Sequence, residues 1–147
     1  MKMNKEEFDK ENVFGIGNEN VNFAKYFIGK NYLNPLTNPD EINLFLANVT
    51  FEPGCRNNRH IHHAKSGGQI LICTAGNGWF QIEGRDAVSL KPGDVITIPA
   101  NVKHWHGAKR DSWFSHVAIE VPGTDTSTEW CEPVTGEEYD KLDVIKC

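Results

Sequence analysis

Two histidines placed two residues apart, His60 and His62, are suited to holding a metal ion. They lie in the stretch Gly54–Gly76, which reads GCRNNRHIHHAKSGGQILICTAG. In an extended strand, residues two apart point to the same face, so both imidazoles can converge while Ile61 faces away. Neutral imidazole binds first-row transition metals. The pair therefore predicts half of a divalent-metal site.

A second stretch, Gly93–Gly107, supplies a further histidine. It reads GDVITIPANVKHWHG and predicts a turn, a short strand over Val95–Ile98 and, after Pro99, a second turn that delivers His104. Together the two stretches resemble the paired signature of the cupin superfamily, G-x5-H-x-H-x3/4-E-x6-G followed by G-x5-P-x-G-x2-H-x3-N. In that family, three histidines and the acidic residue bind a metal.

The match to both motifs extends beyond the histidines. The matched positions are Gly54, His60, His62, Gly76, Gly93, Pro99 and His104. Gln69 replaces the acidic residue and follows an insertion, Ala64–Gly68. Asn101 replaces the turn glycine and tolerates positive φ, and Ala108 replaces the closing asparagine. The metal ligands that the resemblance implies are His60, His62, Gln69 and His104.

A narrower resemblance covers roughly residues 43–142. The runs that carry it are VTFEPG (49–54), GQILICTAGNGW (68–79), PGDV (92–95), KHWHGA (103–108), SHVAIE (115–120) and W-x-E-P-V-T-x-E-x-Y (130–139). They resemble small cupins related to carboxymuconolactone decarboxylase partners, a group that includes manganese-dependent hydroxynitrile lyases. Those lyases use three histidines and a glutamine. The resemblance therefore implies a divalent metal, manganese first, with iron, nickel, cobalt or zinc as alternatives.

Two further histidines belong to the predicted site. His106 repeats the two-residue spacing after His104, so both face the cavity if the backbone is extended there. On the predicted strand Ser112–Val121, the same period puts His116 and Glu120 on a polar face, which either faces solvent or lines a polar cavity. The resemblance favours the cavity, since His106 and His116 match two histidines beside the substrate of the lyases. Glu120 stands where those lyases have glutamine.

These residues predict chemistry on a small hydroxy or oxo compound. A divalent ion held by neutral ligands keeps its full charge and lowers the pKa of a bound hydroxyl, and imidazole exchanges protons near neutral pH. Our hypothesis is a hydroxynitrile lyase-like lyase or isomerase, in which His106 or His116 moves a proton during C–C cleavage or enolisation. Two alternatives stay open: an iron-dependent dioxygenase, and a non-catalytic cupin that binds a small ligand as a sensor or accessory subunit.

Composition sets the outer limits of function. The chain has 147 residues, of which 39% are hydrophobic and 24% charged, and a formal net charge of −5. This acidic balance without a basic stripe argues against a nucleic-acid partner. No run has the length of a signal-peptide core or a membrane span, so we expect a cytoplasmic protein. The four cysteines lack a C-x-x-C pair and predict free thiols.

The elements that must position these residues are short strands separated by glycine turns. The candidates are 43–51, 60–62, 69–74, 78–83, 87–90, 95–99 and a last long strand, 112–121. This density of strands is typical of an all-β sandwich or barrel. The resemblance implies an antiparallel double-stranded β-helix, the jelly-roll barrel of cupins. We expect no strand after Pro122 and a short C-terminal helix over Thr135–Leu142.

The domain boundaries follow from the same pattern. Residues 1–20, rich in Lys, Glu and Asn, predict a mobile or partner-bound arm with one short helical turn. Residues 21–147 predict a single cupin domain, whose barrel spans about 43–121. The aromatic alternation of Asn22–Tyr32 predicts a strand that crosses between the subunits of a homodimer. Five aromatic residues are expected to fill the barrel or a dimer surface: Trp79, Phe80, Trp105, Trp113 and Phe114.

Overall fold

Two antiparallel β-sheets pack face to face in the computed structural model, which describes residues 3–144. Helix α1 spans Lys5–Glu11 and helix α2 spans Gly136–Val144. Neither helix of this described part is long and apolar enough to cross a membrane. The strands are β1 (Asn18–Glu19), β2 (Phe27–Ile28), β3 (Asn31–Pro35), β4 (Leu46–Phe51), β5 (Arg56–Asn57), β6 (His60–His63), β7 (Ser66–Gly76), β8 (Gly78–Ile82), β9 (Val88–Leu90), β10 (Val95–Pro99), β11 (His104–Ala108), β12 (Phe114–Thr124) and β13 (Ser127–Trp130).

The first sheet has the strand order β1-β3-β4-β12-β7-β10. Its two longest members, β7 and β12, pair antiparallel over most of their length. Their register sets Glu120 directly opposite Gln69, and it shifts between Ser115 and His116. Such irregularities re-aim side chains and are common beside functional sites. This sheet supplies Gln69, His116 and Glu120 to the space between the sheets.

The second sheet has the strand order β13-β6-β11-β5-β2, and β8 pairs with β11 and β9. His104 of β11 lies opposite His60 of β6, so two histidines far apart in the chain become cross-strand neighbours. On the other edge of β6, Trp130 of β13 lies opposite His60. Thr128 lies opposite His62 in the same ladder. This sheet supplies the three histidines that were predicted as ligands.

Apolar side chains from both sheets fill part of the space between them. The most deeply buried members of this core are Phe51, Cys55, Leu71, Leu90, Ile98, Ala108 and Phe114. A second cluster lies under α2 and consists of Trp79, Trp105, Val134, Tyr139 and Leu142. Trp105 belongs to this outer cluster because it alternates along β11 with His104 and His106, which face inward. The prediction of an all-β jelly-roll barrel with a short C-terminal helix is confirmed.

The N-terminal residues form a packed helix. Asn4 and Glu7 complete a capping box: Asn4 Oδ1 accepts from Glu7 N at 2.9 Å, and Glu7 Oε2 accepts from Asn4 N at 3.3 Å. Phe8 is completely buried, and its ring stacks on Trp113 with centroids 5.7 Å apart. One buried aromatic side chain thus ties the helix to the outside of the barrel. The mobile or partner-bound arm over residues 1–20 stays a prediction.

The strand expected over Asn22–Tyr32 is interrupted. A 3-10 turn spans Ala24–Tyr26, and β2 and β3 follow as separate short strands. Gly29 between them has a φ of 90°, and a Cβ there would lie 3.0 Å from the Cβ of Cys55. This break therefore requires glycine. Since β2 pairs with β5 and β3 with β4 of the same chain, the segment folds onto its own protomer.

The chain stays extended beyond Pro122, so the expectation of no strand after that residue is wrong. β12 continues to Thr124, and a turn with Asp125 at a φ of 53° leads into β13. The pairing of β12 with β7 is irregular between Val121 and Thr124. An irregular stretch of ladder is where a strand accommodates a proline, which has no N–H to donate.

Candidate metal centre and substrate pocket

A cavity of about 270 Å³ opens between the two sheets. Its polar lining includes His60, His62, Gln69, His106 and His116. Its apolar lining includes Phe23, Phe27, Phe45, Val49, Phe51 and Trp130. Among the described residues that line it, Glu120 is the only acidic one, and none is a lysine or arginine. A largely apolar cavity with a few convergent polar groups is typical of a small-molecule site.

Three imidazoles meet beside this cavity. The ring centroid of His60 lies 5.0 Å from that of His62 and 4.3 Å from that of His104. The centroids of His62 and His104 are 5.4 Å apart. The alternation of β6 places the first two rings on one face, and the register of β11 adds the third. Among the described residues, the group whose ligand atoms all lie within 4.8 Å of one another is His60, His104 and His106, so the place of His62 in the ligand set stays a prediction.

Backbone carbonyls fix the orientation of two of these rings. His60 Nδ1 donates to the carbonyl oxygen of Asn58 at 2.8 Å, and His104 Nδ1 donates to that of Val102 at 2.9 Å. Because a carbonyl oxygen only accepts, Nδ1 carries the hydrogen and Nε2 keeps its lone pair. Metal-binding histidines have this arrangement, in which a carbonyl or carboxylate holds the second ring nitrogen.

Three buried polar atoms of the predicted ligands have no hydrogen-bond partner: Nε2 of His62, Nε2 of His104 and Oε1 of Gln69. Buried polar atoms are almost always paired, and leaving one unpaired costs about 1–3 kcal/mol. Each of the three atoms can present a lone pair, which a bound cation satisfies. Imidazole nitrogen and amide oxygen together suit a divalent transition metal, so the residues present fit such an ion.

A fourth imidazole, that of His106, lies close to the cluster but has other partners. One nitrogen from each of His60, His104 and His106 lies within 4.8 Å of the others. His106 Nδ1 is 3.1 Å from His116 Nε2, and His106 Nε2 is 3.2 Å from Asn57 Nδ2. The Oδ1 of Asn57 in turn accepts from the backbone N–H of His106 at 3.0 Å. Both ring nitrogens of His106 therefore have partners within the protein.

Burial keeps the imidazoles of His60, His104, His106 and His116 neutral. It lowers the pKa of His60 to about 3 and that of His104 to about 4, and neighbouring histidines add to the effect. Burial also lowers the pKa of His116 to about 3. The pKa of His106 lies well below its usual range, through burial first and then through His116. A neutral ring is the form that binds a metal, because its nitrogen keeps a free lone pair.

Gln69 reaches the cavity in spite of the insertion before it. β7 begins at Ser66, so the end of the insertion is already part of the sheet. Gly68 approaches β10 so closely that a Cβ there would lie 2.5 Å from the carbonyl oxygen of Ile98. Gln69 Nε2 donates to Glu120 Oε1 at 2.9 Å. The amide oxygen is left as the buried atom without a partner.

The structure brings the residues that were predicted for the site together. Five of them line the cavity, namely His60, His62, Gln69, His106 and His116, and His104 adjoins His60. The strand pattern alone allowed His116 to face solvent, but its side chain is completely buried, with its ring centroid 5.4 Å from that of Phe51. Asn101 has the positive φ expected of it, 70°. His63 lies outside the site and pairs with Glu129.

Trp130 and Asn57 belong to the site but were not assigned to it from the sequence. The Trp130 ring lies 4.8 Å from that of His60 and stacks on Tyr26 at 4.3 Å, centroid to centroid. A usable signal for Trp130 was the alternation of β13, which puts it on the same face as Thr128. Asn57 has no local signal, because its contact with His106 joins residues 49 positions apart.

Known proteins resemble this chain in sequence. Residues 47–117 match the Cupin_2 family, described as a cupin domain. An (R)-mandelonitrile lyase from Granulicella tundricola is 41% identical over 117 residues, which cover 79% of this chain and 87% of that protein. An acireductone dioxygenase from Bacillus licheniformis is 32% identical over 103 residues, which cover 67% of this chain and 54% of that protein.

Solved structures agree with this relationship. A cupin-like protein from Thermotoga maritima has a TM-score of 0.76 and 38% identity, over 88% of this chain and 96% of that chain. A predicted oxalate decarboxylase from the same organism, with a TM-score of 0.62 and 18% identity over 72% of this chain and 92% of that chain, shares the fold alone. With its two-sheet barrel, its buried histidine cluster and these relatives, the protein is a small member of the cupin superfamily.

Proposed function

We propose that the protein is a metal-dependent lyase that cleaves an uncharged hydroxynitrile into a carbonyl compound and hydrogen cyanide. The observation that carries this proposal is the group of buried lone-pair atoms without partners, on His62, His104 and Gln69, beside two neutral histidines in one apolar cavity. The similarity to an (R)-mandelonitrile lyase supports the reaction type.

The metal ligands in this proposal are His60, His62, Gln69 and His104. All four are neutral donors, so a bound divalent cation keeps its full charge and supplies the Lewis acid that makes a substrate hydroxyl more acidic. Manganese is the expected ion, and iron, nickel, cobalt or zinc would suit the same donors. His106 stays outside the ligand set because both of its ring nitrogens have protein partners.

His106 and His116 handle the proton in the proposed reaction. One of these two neutral imidazoles accepts the hydroxyl proton, the C–C bond to the nitrile carbon breaks, and its electron pair leaves with cyanide as the carbonyl forms. Returning the proton to cyanide releases hydrogen cyanide and restores the neutral ring. The hydrogen bond between His116 Nε2 and His106 Nδ1, which are 3.1 Å apart, stabilises whichever of the two rings carries the proton.

The wall of the cavity favours a substrate without a negative charge. Aromatic side chains, including Phe23, Phe45 and Trp130, form much of it. No lysine or arginine is among the described lining residues. A carboxylate would therefore lose hydration at this wall without gaining a cationic side chain as a partner. This argument favours a hydroxynitrile over a hydroxy acid.

The test of the proposal begins with elemental analysis of protein purified without chelator or His tag. A mandelonitrile cleavage assay at acidic pH follows, with the same metal restored. We expect near-stoichiometric manganese or iron and release of benzaldehyde. The His106→Ala variant should lose about 10²–10⁴-fold in turnover while retaining its metal, and the surface variant His63→Ala should lose neither. Protein without metal in every preparation would refute the ligand set, and metal without turnover would refute the reaction.

An iron-dependent dioxygenase is the second candidate, and the similarity to an acireductone dioxygenase favours it. This function requires oxygen, whereas the cleavage of a hydroxynitrile consumes none. An oxygen electrode with iron-loaded protein therefore separates the two enzymes. A non-catalytic cupin would instead bind its ligand without turnover and would tolerate substitution of His106.

A further inference from the structure

We infer that Glu120 is a positioning residue, whose carboxylate decides which end of the Gln69 amide faces the histidines. The inference rests on the proposed metal site and concerns its fourth ligand. Glu120 lies directly opposite Gln69 in the β7–β12 pair. Gln69 Nε2 donates to Glu120 Oε1 at 2.9 Å, and Gln69 Oε1 is buried without a partner.

A glutamine ligand needs such a neighbour because the two ends of its amide have the same shape and opposite hydrogen-bonding character. The oxygen accepts and the NH₂ group donates, and a half-turn of the terminal torsion exchanges them. An ionised carboxylate only accepts, so only the NH₂ end of Gln69 faces Glu120 favourably. In the reverse orientation two oxygens would face each other, and the NH₂ group, which has no lone pair for a cation, would face the cavity.

The two sheet neighbours of this pair hold both residues in place. The backbone N–H of Glu120 donates to the carbonyl oxygen of Phe45 at 3.2 Å, and Gln69 lies opposite Ile98 on its other side. Gln69 is only 7% exposed, whereas Glu120 is exposed. The carboxylate therefore keeps much of its hydration while it accepts from the buried amide, and its charge carries little desolvation cost.

Two substitutions separate orientation from charge. Glu120→Asp keeps the charge but shortens the side chain by one methylene, which breaks the hydrogen bond to Gln69. Glu120→Gln keeps the length, removes the charge and accepts either amide orientation. Glu41→Gln, in an exposed loop, is the control for the loss of one negative charge. The measurement is the Kd of Mn²⁺ for chelator-treated protein, obtained by isothermal titration calorimetry at one pH.

We expect Mn²⁺ affinity to fall about 3-fold in Glu120→Gln and about 10-fold or more in Glu120→Asp, as for other residues that orient a ligand, and to stay unchanged in Glu41→Gln. Wild-type affinity in Glu120→Asp with a loss in Glu120→Gln would show that charge alone acts, and would overturn the inference. Equal affinities in all variants would overturn it too. A wild-type protein that binds no divalent ion would overturn the proposed function itself, so the two failures are distinguishable.

A metal-free measurement tests the same contact independently. Gln69→Glu alone places two carboxylates side by side, and we expect a lower thermal midpoint of the chelated protein. Adding Glu120→Gln restores a donor opposite an acceptor, so the double variant should recover the wild-type midpoint to within about 2 °C. A double variant no more stable than Gln69→Glu would contradict the proposed pairing.

Discussion

The imidazole of His106 stands between a donor and another imidazole. Asn57 is oriented by its Oδ1, which accepts from the His106 backbone, so its NH₂ group faces the His106 ring. This NH₂ group lies 3.2 Å from Nε2 and 3.4 Å from Nδ1 of His106, and Nδ1 lies 3.1 Å from Nε2 of His116. The sequence predicted both histidines but not the amide that orients one of them.

Burial of His116 makes the stability of the metal-free protein depend on pH. Burial lowers the pKa of this side chain to about 3 from an ordinary value of 6.5. Below pH 6.5 the unfolded chain binds a proton that the folded protein does not, so the contribution of His116 is full above pH 6.5 and is lost as the pH falls towards 3. The loss is up to ~1.4 kcal/mol per pH unit.

Urea unfolding of chelated protein between pH 7 and 5 measures this dependence. We expect the free energy of unfolding of the wild type to decrease as the pH is lowered. In His116→Gln, whose amide can still bond to His106, the slope of this free energy against pH should be smaller by the equivalent of about one proton. An identical slope in the variant would contradict the assignment.

At the scale of elements, the close approach of β7 to β10 is what carries Gln69 into the site. Gly68 has a φ of 133°, and a Cβ there would lie 2.5 Å from a backbone oxygen. Gly84 has a φ of 81° but open space around it. Strain at positive φ costs a non-glycine residue about 1–2 kcal/mol, and a backbone clash adds to that cost. Alanine at Gly84 therefore measures the cost of backbone strain alone, whereas alanine at Gly68 measures strain together with the clash.

We expect Gly84→Ala to lower the free energy of unfolding by about 1 kcal/mol and Gly68→Ala by about 3 kcal/mol. Mn²⁺ affinity should fall only in Gly68→Ala, because the displaced strand moves the Gln69 oxygen. Chemical denaturation and calorimetry measure the two effects. Equal losses of stability in both variants would mean that the close contact between β7 and β10 at Gly68 adds nothing to the free energy of unfolding.

Helix α1 stabilises the barrel from the side away from the cavity. Ala47 and Val49 line the cavity, so the intervening Asn48 points outward, where its Nδ2 donates to Asn12 Oδ1 at 3.1 Å. Phe8 anchors the helix, since its side chain is completely buried. Helix α1 thus affects stability, although none of its residues lines the cavity.

Phe8→Ala should cost about 3–5 kcal/mol of unfolding free energy, as for other buried phenylalanines, and should leave Mn²⁺ affinity unchanged. Phe14→Ala is the matched control, because that ring is 43% exposed, and we expect a change within about 0.5 kcal/mol. A large loss of metal affinity in Phe8→Ala would show that the helix and the site are coupled.

For the whole molecule, the buried lone-pair atoms that have no hydrogen-bond partner, on His62, His104 and Gln69, predict that a bound ion stabilises the fold. A ligand that binds only the folded state adds about 2.7 kcal/mol at a free concentration of 100 times its Kd. We expect Mn²⁺ to raise the thermal midpoint of the wild type, a chelator to reverse the rise, and His62→Ala to show a much smaller shift. A midpoint independent of divalent ions would contradict the site.

The homodimer stays a prediction at this scale. The Asn22–Tyr32 segment, expected to cross to a partner, pairs with β4 and β5 of its own chain. Exposed apolar side chains near it, Val21, Phe23 and Ile28, are 65%, 46% and 39% exposed. Light scattering of purified protein measures the mass in solution directly.

Local patterns determined much of this protein. The two-residue spacing of His60 and His62 follows from strand geometry alone, and the positive φ of Asn101 follows from its place in a turn motif. The short strands between glycine turns indicated an all-β barrel, because turn residues and alternation act within a few positions of each other. The order of the histidine motifs further indicated which family the barrel belongs to.

Only the tertiary structure decided the contacts between distant strands. The positions of Trp130 beside His60 and of Asn57 beside His106 depend on sheet register, which no local pattern encodes. The alternation of residues did not decide whether His116 is buried, because a two-residue period separates the two faces of a strand without indicating which one faces solvent. The pairing of Glu120 with Gln69 joins residues 51 positions apart, and it arises only when β7 and β12 close the sheet.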